Sequence, residues 1–116
     1  MNVNRGDVVL TRVPHVSGGR GKKRPAVVVQ ADVYKSPRQT IVVEITSNLT
    51  EASDPANLLI DVTTSDGQAT GLTRDSVASC FFISTVNTDL IQEVIGKMSP
   101  SLMLQLDQCL KTVLGL

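Results

Sequence analysis

The chain has 116 residues, 41% of them apolar and 19% charged, with acids and bases equal in number and no net charge near neutrality. That length supports one domain around one hydrophobic core, and the composition is that of a globular chain and not a disordered one. With no Trp, two Phe and one Tyr, the core must be built from Val, Ile and Leu, which disfavours a nucleic-acid binder resting chiefly on stacked aromatics.

No apolar run reaches membrane-spanning length. MNVNRGD lacks the apolar segment of a secretory leader, so a cytoplasmic protein without membrane association is expected. Cys80 and Cys109 are distant in sequence and flanked by apolar residues; they read as buried free thiols. The neutral total conceals an asymmetry. Residues 1–38 carry Arg5, Arg12, Arg20, Lys22, Lys23, Arg24, Lys35 and Arg38 against Asp7 and Asp32, a net of +6, and the remainder carries −6. Such a chain can turn a basic face to a polyanion, or pair its opposite ends in a dimer.

In chain order, VVLTRV (8–13) follows a Gly-Asp turn and predicts a first strand, ended by Pro14. SGGRGKKR (17–24) has three glycines, four bases and nothing apolar, and reads as a solvated loop. Pro25 then opens AVVVQ, whose continuous β-branched run implies a strand buried on both faces. After a polar turn, TIVVEIT (40–46) is a second buried strand, followed by the polar loop 47–57. Leu58–Val62 predicts a short strand, 63–71 a turn-rich loop and Ser76–Val86 a long strand. Asn87–Asp89 can start a helical turn, and Glu93–Lys97 returns as an edge strand. Ser99-Pro100 is a helix opening, Ser as N-cap and Pro in the first turn. Leu102, Met103, Leu106, Cys109, Leu110 and Val113 then fall at helical spacing as one apolar stripe. The expected fold is mainly β with a C-terminal helix: a curved antiparallel sheet or small barrel, in a single domain spanning 1–116.

Counting residues removes most catalytic schemes. His15 is the single histidine, so no imidazole pair can act as acid and base within one chain. Cysteine–histidine catalysis would need an accessible thiol. No HExxH, CxxC or spaced carboxylate cluster offers a metal site, and the glycines of 17–24 do not fit a phosphate-cradling loop. No metal or cofactor is expected. A reaction run on Arg, Lys and hydroxyl groups suits RNA cleavage, where the substrate's own 2′-hydroxyl attacks. The protein then supplies in-line geometry and donors to the charge developing on phosphorus. Arg24, anchored before Pro25 at the root of a buried strand, has the planar fork that matches two phosphate oxygens. Thr46 ends the second buried strand, and Ser47 and Asn48 follow it with further donors. Taken singly, Arg24 also reads as a surface arginine, Thr46 and Ser47 as ordinary strand-end residues, and the lysines as a solvated loop.

Taken together, the landmarks are similar to the PemK/MazF family of toxin endoribonucleases. They are Arg5-Gly6-Asp7-Val8, the Gly-rich loop ending in Arg24-Pro25, and Ile45-Thr46-Ser47-Asn48. Then come Gly71-Leu72, Asp75-Ser76-Val77, Thr85-Val86, and Ile95-Gly96-Lys97-Met98-Ser99-Pro100 running into the terminal helix. The resemblance implies a small SH3-like curved antiparallel barrel of the PemK/MazF/CcdB type. It implies a homodimer whose interface groove takes single-stranded RNA, and sequence-selective cleavage that leaves a 2′,3′-cyclic phosphate. It also implies control by a cognate antitoxin protein. Arg24 and Thr46 take the catalytic places. His15, Ser17, Arg20, Lys22, Lys23, Ser47 and Asn48 are the RNA-binding candidates, with 17–24 as a substrate-binding lid. One segment departs from the family pattern. Phe81-Phe82-Ile83-Ser84 stands where an acidic residue, Gln, an apolar residue and Arg are usual, and Ser79 and Phe81 stand where some members place a catalytic Arg and Asp. The resemblance leaves two other readings open: a member that binds antitoxin or nucleic acid without cutting, and a topoisomerase-poisoning toxin on the same fold.

Overall fold

The structure is a computed structural model, and it describes residues 2–12 and 23–116. Six strands are present: β1 (Asp7–Arg12), β2 (Lys23–Val28), β3 (Gln39–Thr46), β4 (Asn57–Ile60), β5 (Ser76–Asn87) and β6 (Ile91–Lys97). Two helices accompany them, the short α1 (Ser65–Ala69) and the terminal α2 (Pro100–Leu114). The strands form one antiparallel sheet in the order β4-β5-β3-β2-β1-β6. β4 and β6 are its two edges and do not pair with each other, so the sheet is not closed into a barrel.

The unbroken apolar run of β2 is explained by its place at the centre of the sheet. Val27 packs on one face with Val8, Val43 and Ile45 in the larger core cluster, beneath Leu102, Leu106 and Cys109 of α2. Ala26 and Val28 alternate to the opposite face and join Val3, Val9, Val42, Val86 and Ile91. Both faces are buried, as the run requires. β2 starts two residues before Pro25 because β1 reaches Arg12 and pairs Thr11 with Arg24 and Arg12 with Lys23. Those two bases therefore stand on a strand and not in the expected loop.

The helix opening behaves as the Ser-Pro signal predicts. Ser99 Oγ accepts a hydrogen bond from Leu102 N at 3.1 Å, and the helix ends on Gly115 in the left-handed region at φ 71°. The stretch 63–71 is not all loop: Thr64 caps α1 by accepting from Gly67 N at 2.9 Å. Gly67 sits there because a Cβ would lie 1.8 Å from the Asp61 carbonyl oxygen, so tertiary contact overrides its poor helix propensity. Among the described residues no helix is long and apolar enough to cross a membrane.

Much of the sequence signature is architectural. Gly6, at φ 93°, donates to Val28 O and accepts from Met98 N, each at 2.8 Å, which locks the start of β1 between β2 and the end of β6. Arg5 bonds Val29 O through Nε at 3.1 Å and Asp107 Oδ1 through Nη2 at 2.6 Å, tying the N-terminal segment to α2. Asp75 Oδ1 accepts from Val62 N at 2.9 Å and fixes the entry to β5.

Candidate nucleic-acid interface

The ladder between β2 and β3 runs from Val28↔Val42 to Ala26↔Glu44 and stops there. Pro25, next along β2, has no N–H to extend it. Carried two residues beyond its last pair, Ala26↔Glu44, that register would set Arg24 opposite Thr46. Alternation puts both on the face away from α2, where Ala26 and Val42 also lie. Both residues are partly buried. Among the described residues Arg24 forms no ion pair.

Thr46 leads into a turn held by its own side chain. Its Oγ1 accepts from Asn48 N at 3.1 Å, which leaves the hydroxyl proton to donate elsewhere. Asn48 Oδ1 accepts from Thr50 N at 3.0 Å and Thr50 Oγ1 at 2.6 Å, so its amide nitrogen is the group left to donate. Ser47 and Asn48 are both exposed, as is Lys23. A guanidinium, a threonine hydroxyl and an amide thus border the open end of β2 and β3. A phosphate there would meet donors of the kind that favour its charged, five-coordinate transition state. His15, Ser17, Arg20 and Lys22 lie outside the described residues.

The same face carries polar residues that sequence reasoning did not assign to the site. Glu44, partly buried, pairs in register with Ser79 on β5, and Ser79 in turn with Asn57 on β4. Ser84 Oγ donates to Glu44 Oε2 at 3.3 Å. The one legible signal for Glu44 was a charge interrupting the apolar run TIVVEIT. Beside it the register breaks: Val43 pairs with Ile83 and Glu44 with Ser79, so Cys80, Phe81 and Phe82 bulge from β5 between them. Phe81 and Phe82 are 58% and 52% exposed.

Cys80 and Cys109 are free and buried in the larger core cluster. Burial, with the Cys109 thiol close by, pushes the Cys80 thiol up to about 12. Burial raises Cys109 as well. Neither is a thiolate nucleophile near neutral pH. Among the described residues no group of three or more His, Cys, Asp or Glu is gathered to hold a metal ion. A cavity of about 420 Å³ lined by Val3, Val28, Asp32, Lys35 and Thr40 lies toward the other end of β2 and includes none of the predicted site residues.

Known proteins are similar to this chain in architecture and in sequence. The family model described as "PemK-like, MazF-like toxin of type II toxin-antitoxin system" matches residues 4–114. Endoribonuclease MazF6 of Mycobacterium tuberculosis (strain ATCC 25618 / H37Rv) is 34% identical over 119 residues, covering all of both chains. Endoribonuclease EndoA of Bacillus subtilis (strain 168) is 30% identical over 118 residues, covering 100% of this chain and 97% of the relative. Among solved structures, an "Endoribonuclease from Mycobacterial species" superposes with a TM-score of 0.77 at 20% identity, over 100% of this chain and 94% of the other. An "Endoribonuclease in complex with its cognate antitoxin from Mycobacterial species" gives 0.71 at 21% identity, over 98% and 96%. The chain belongs to the PemK-like, MazF-like toxin family of type II toxin–antitoxin systems.

Proposed function

We propose that the chain is a cytoplasmic toxin that cleaves single-stranded RNA, mRNA above all, in a sequence-selective reaction without a metal ion. The two relatives named above are both called endoribonucleases, which supports the reaction class. The observation that supports the mechanism is the β2–β3 register, which, carried two residues past its last pair Ala26↔Glu44, would set Arg24 across from Thr46. Arg24 braces two non-bridging phosphate oxygens with its fork, and Thr46 donates its free hydroxyl proton to the same group. The ribose 2′-hydroxyl attacks the adjacent phosphorus, the 5′-oxygen leaves with a proton, and a 2′,3′-cyclic phosphate remains. Lys23, Ser47 and Asn48, with His15, Ser17, Arg20 and Lys22, hold the flanking backbone. The working form is a homodimer, and a cognate antitoxin holds the toxin inactive.

The test is cleavage of a long single-stranded RNA in EDTA by wild type, Arg24→Ala and Thr46→Ala. Wild type cuts under chelation, and each substitution lowers the rate by roughly 10²–10³, the usual loss when one transition-state donor is removed. Cleavage surviving in both variants, or lost on chelation alone, rejects the mechanism. A second reading, antitoxin or RNA binding without cleavage, draws on Phe81 standing where the resemblance implies an acid. Tight RNA binding by a wild type that cuts nothing would establish it.

A further inference from the structure

Glu44, Ser79 and Asn57 form one row across three adjacent strands, on the face that carries Arg24 and Thr46. Neighbouring members are one strand spacing apart, about 4.8 Å, and the row lies two residues, about 6.6 Å, from Thr46. A separation of that size is bridged by a single nucleotide, its phosphate at one row and its base at the other. The row is rich in acceptors. Glu44 offers a carboxylate of which Ser84 occupies one oxygen. Asn57 donates its amide to Glu51 O at 2.8 Å, while its Oδ1 is buried without a hydrogen-bond partner among the described residues. A buried acceptor without a donor is costly. A carboxylate beside a phosphate site is costly too, unless something with donors comes between.

The second feature is aromatic. The chain has two Phe residues, and both sit exposed, side by side, on the β5 bulge next to Glu44. In a chain that builds its core from Val, Ile and Leu, Phe side chains left in solvent mark a surface that something covers. Nucleobases stack on such rings.

We propose that Phe81 and Phe82 with the Glu44 row form a subsite for the base beside the scissile phosphate, selective for guanine. Guanine presents an imino and an amino donor side by side, matching the two oxygens of a carboxylate. Uracil places its one imino donor between two carbonyls that the carboxylate repels. This inference rests on the reading that the chain binds single-stranded RNA.

Binding is measured by fluorescence anisotropy with short 2′-fluoro oligonucleotides, which cannot undergo 2′-hydroxyl attack, in a uracil background with or without one central guanine. Wild type prefers the guanine oligonucleotide by about tenfold, the scale of one good carboxylate–base pair. Glu44→Gln collapses that ratio toward one. Phe81→Ala/Phe82→Ala weakens binding to both oligonucleotides by about tenfold, on the scale of one lost stacking contact, and elutes with the wild-type oligomeric state. No guanine preference in wild type, or a preference that survives Glu44→Gln, overturns the subsite. A Phe variant that changes oligomeric state assigns the bulge to a subunit interface and overturns the stacking role. Failure to bind either oligonucleotide overturns the RNA-binding reading itself, and the subsite with it.

Discussion

Substituting Gly96 by Ala should be among the most damaging single changes in the fold, although it adds one methyl group. Gly96 lies on the edge strand β6, and a Cβ there would stand 2.3 Å from the Thr70 carbonyl carbon, 2.4 Å from its oxygen and 2.5 Å from Ala69 O. The contact is reciprocal: a Cβ on Gly71, at φ +76°, would lie 2.0 Å from Ile95 O. Residues 69–71 thus press backbone against backbone onto β6. Carbon atoms rest about 3.5–4 Å apart, so one backbone must retreat by at least about 1 Å. Neither is a flexible side-chain end that can swing away, which places the cost at the upper end of overpacking, about 3 kcal/mol. Out of a total stability of about 5–15 kcal/mol that is a large share. For a chain this long it lowers Tm by about 10–15 °C. Gly115→Ala is the control: φ is +71° but nothing lies within 4 Å of the added Cβ, so only the left-handed backbone cost of about 1 kcal/mol remains. Thermal unfolding followed by circular dichroism ranks the two. A Gly96→Ala protein melting within about 2 °C of wild type, or no lower than Gly115→Ala, refutes the clamp.

Two further outcomes follow from local structure. Ser99→Ala removes the acceptor for Leu102 N and lowers unfolding free energy in urea by about 1 kcal/mol, and an unchanged midpoint would mean the cap is dispensable. Cys80, held protonated by burial up to about 12 against an ordinary 9.0, resists thiol reagents at pH 8 until the chain unfolds. Because its folded value is the raised one, its contribution to stability is complete below pH 9 and is lost as pH climbs toward about 12; rapid native-state labelling at pH 8 would contradict the buried assignment.

The sequence made legible whatever rests on periodicity and local chemistry. β2 and β3 are rich in β-branched residues because both faces of the sheet centre are covered, and α2 is announced by Ser99-Pro100 and its stripe. What was not legible depends on contacts distant in sequence. α1 is five residues long, with a glycine inside it dictated by the Asp61 carbonyl. The true start of β2 depends on how far β1 extends. The break between Val43 and Glu44, which throws Phe81 and Phe82 outward, has no local sequence mark. The same division holds for the proposed site. Arg24 and Thr46 are proposed from their places at strand roots, whereas Asn57, Ser79 and Glu44 emerge as a row only once β4, β5 and β3 are laid side by side.

The central chemical claim is that the RNA cuts itself while Arg24 and Thr46 hold the phosphate. It is tested most directly with an RNA carrying a single 2′-deoxynucleotide on the 5′ side of a mapped cleavage site, its products analysed by mass spectrometry. This one substitution abolishes cutting there, and the all-ribose control yields fragments ending in a 2′,3′-cyclic phosphate. Cutting at the deoxy position, or fragments with a 3′-hydroxyl facing a 5′-phosphate, would mean that water or a protein group, and not the ribose, is the nucleophile.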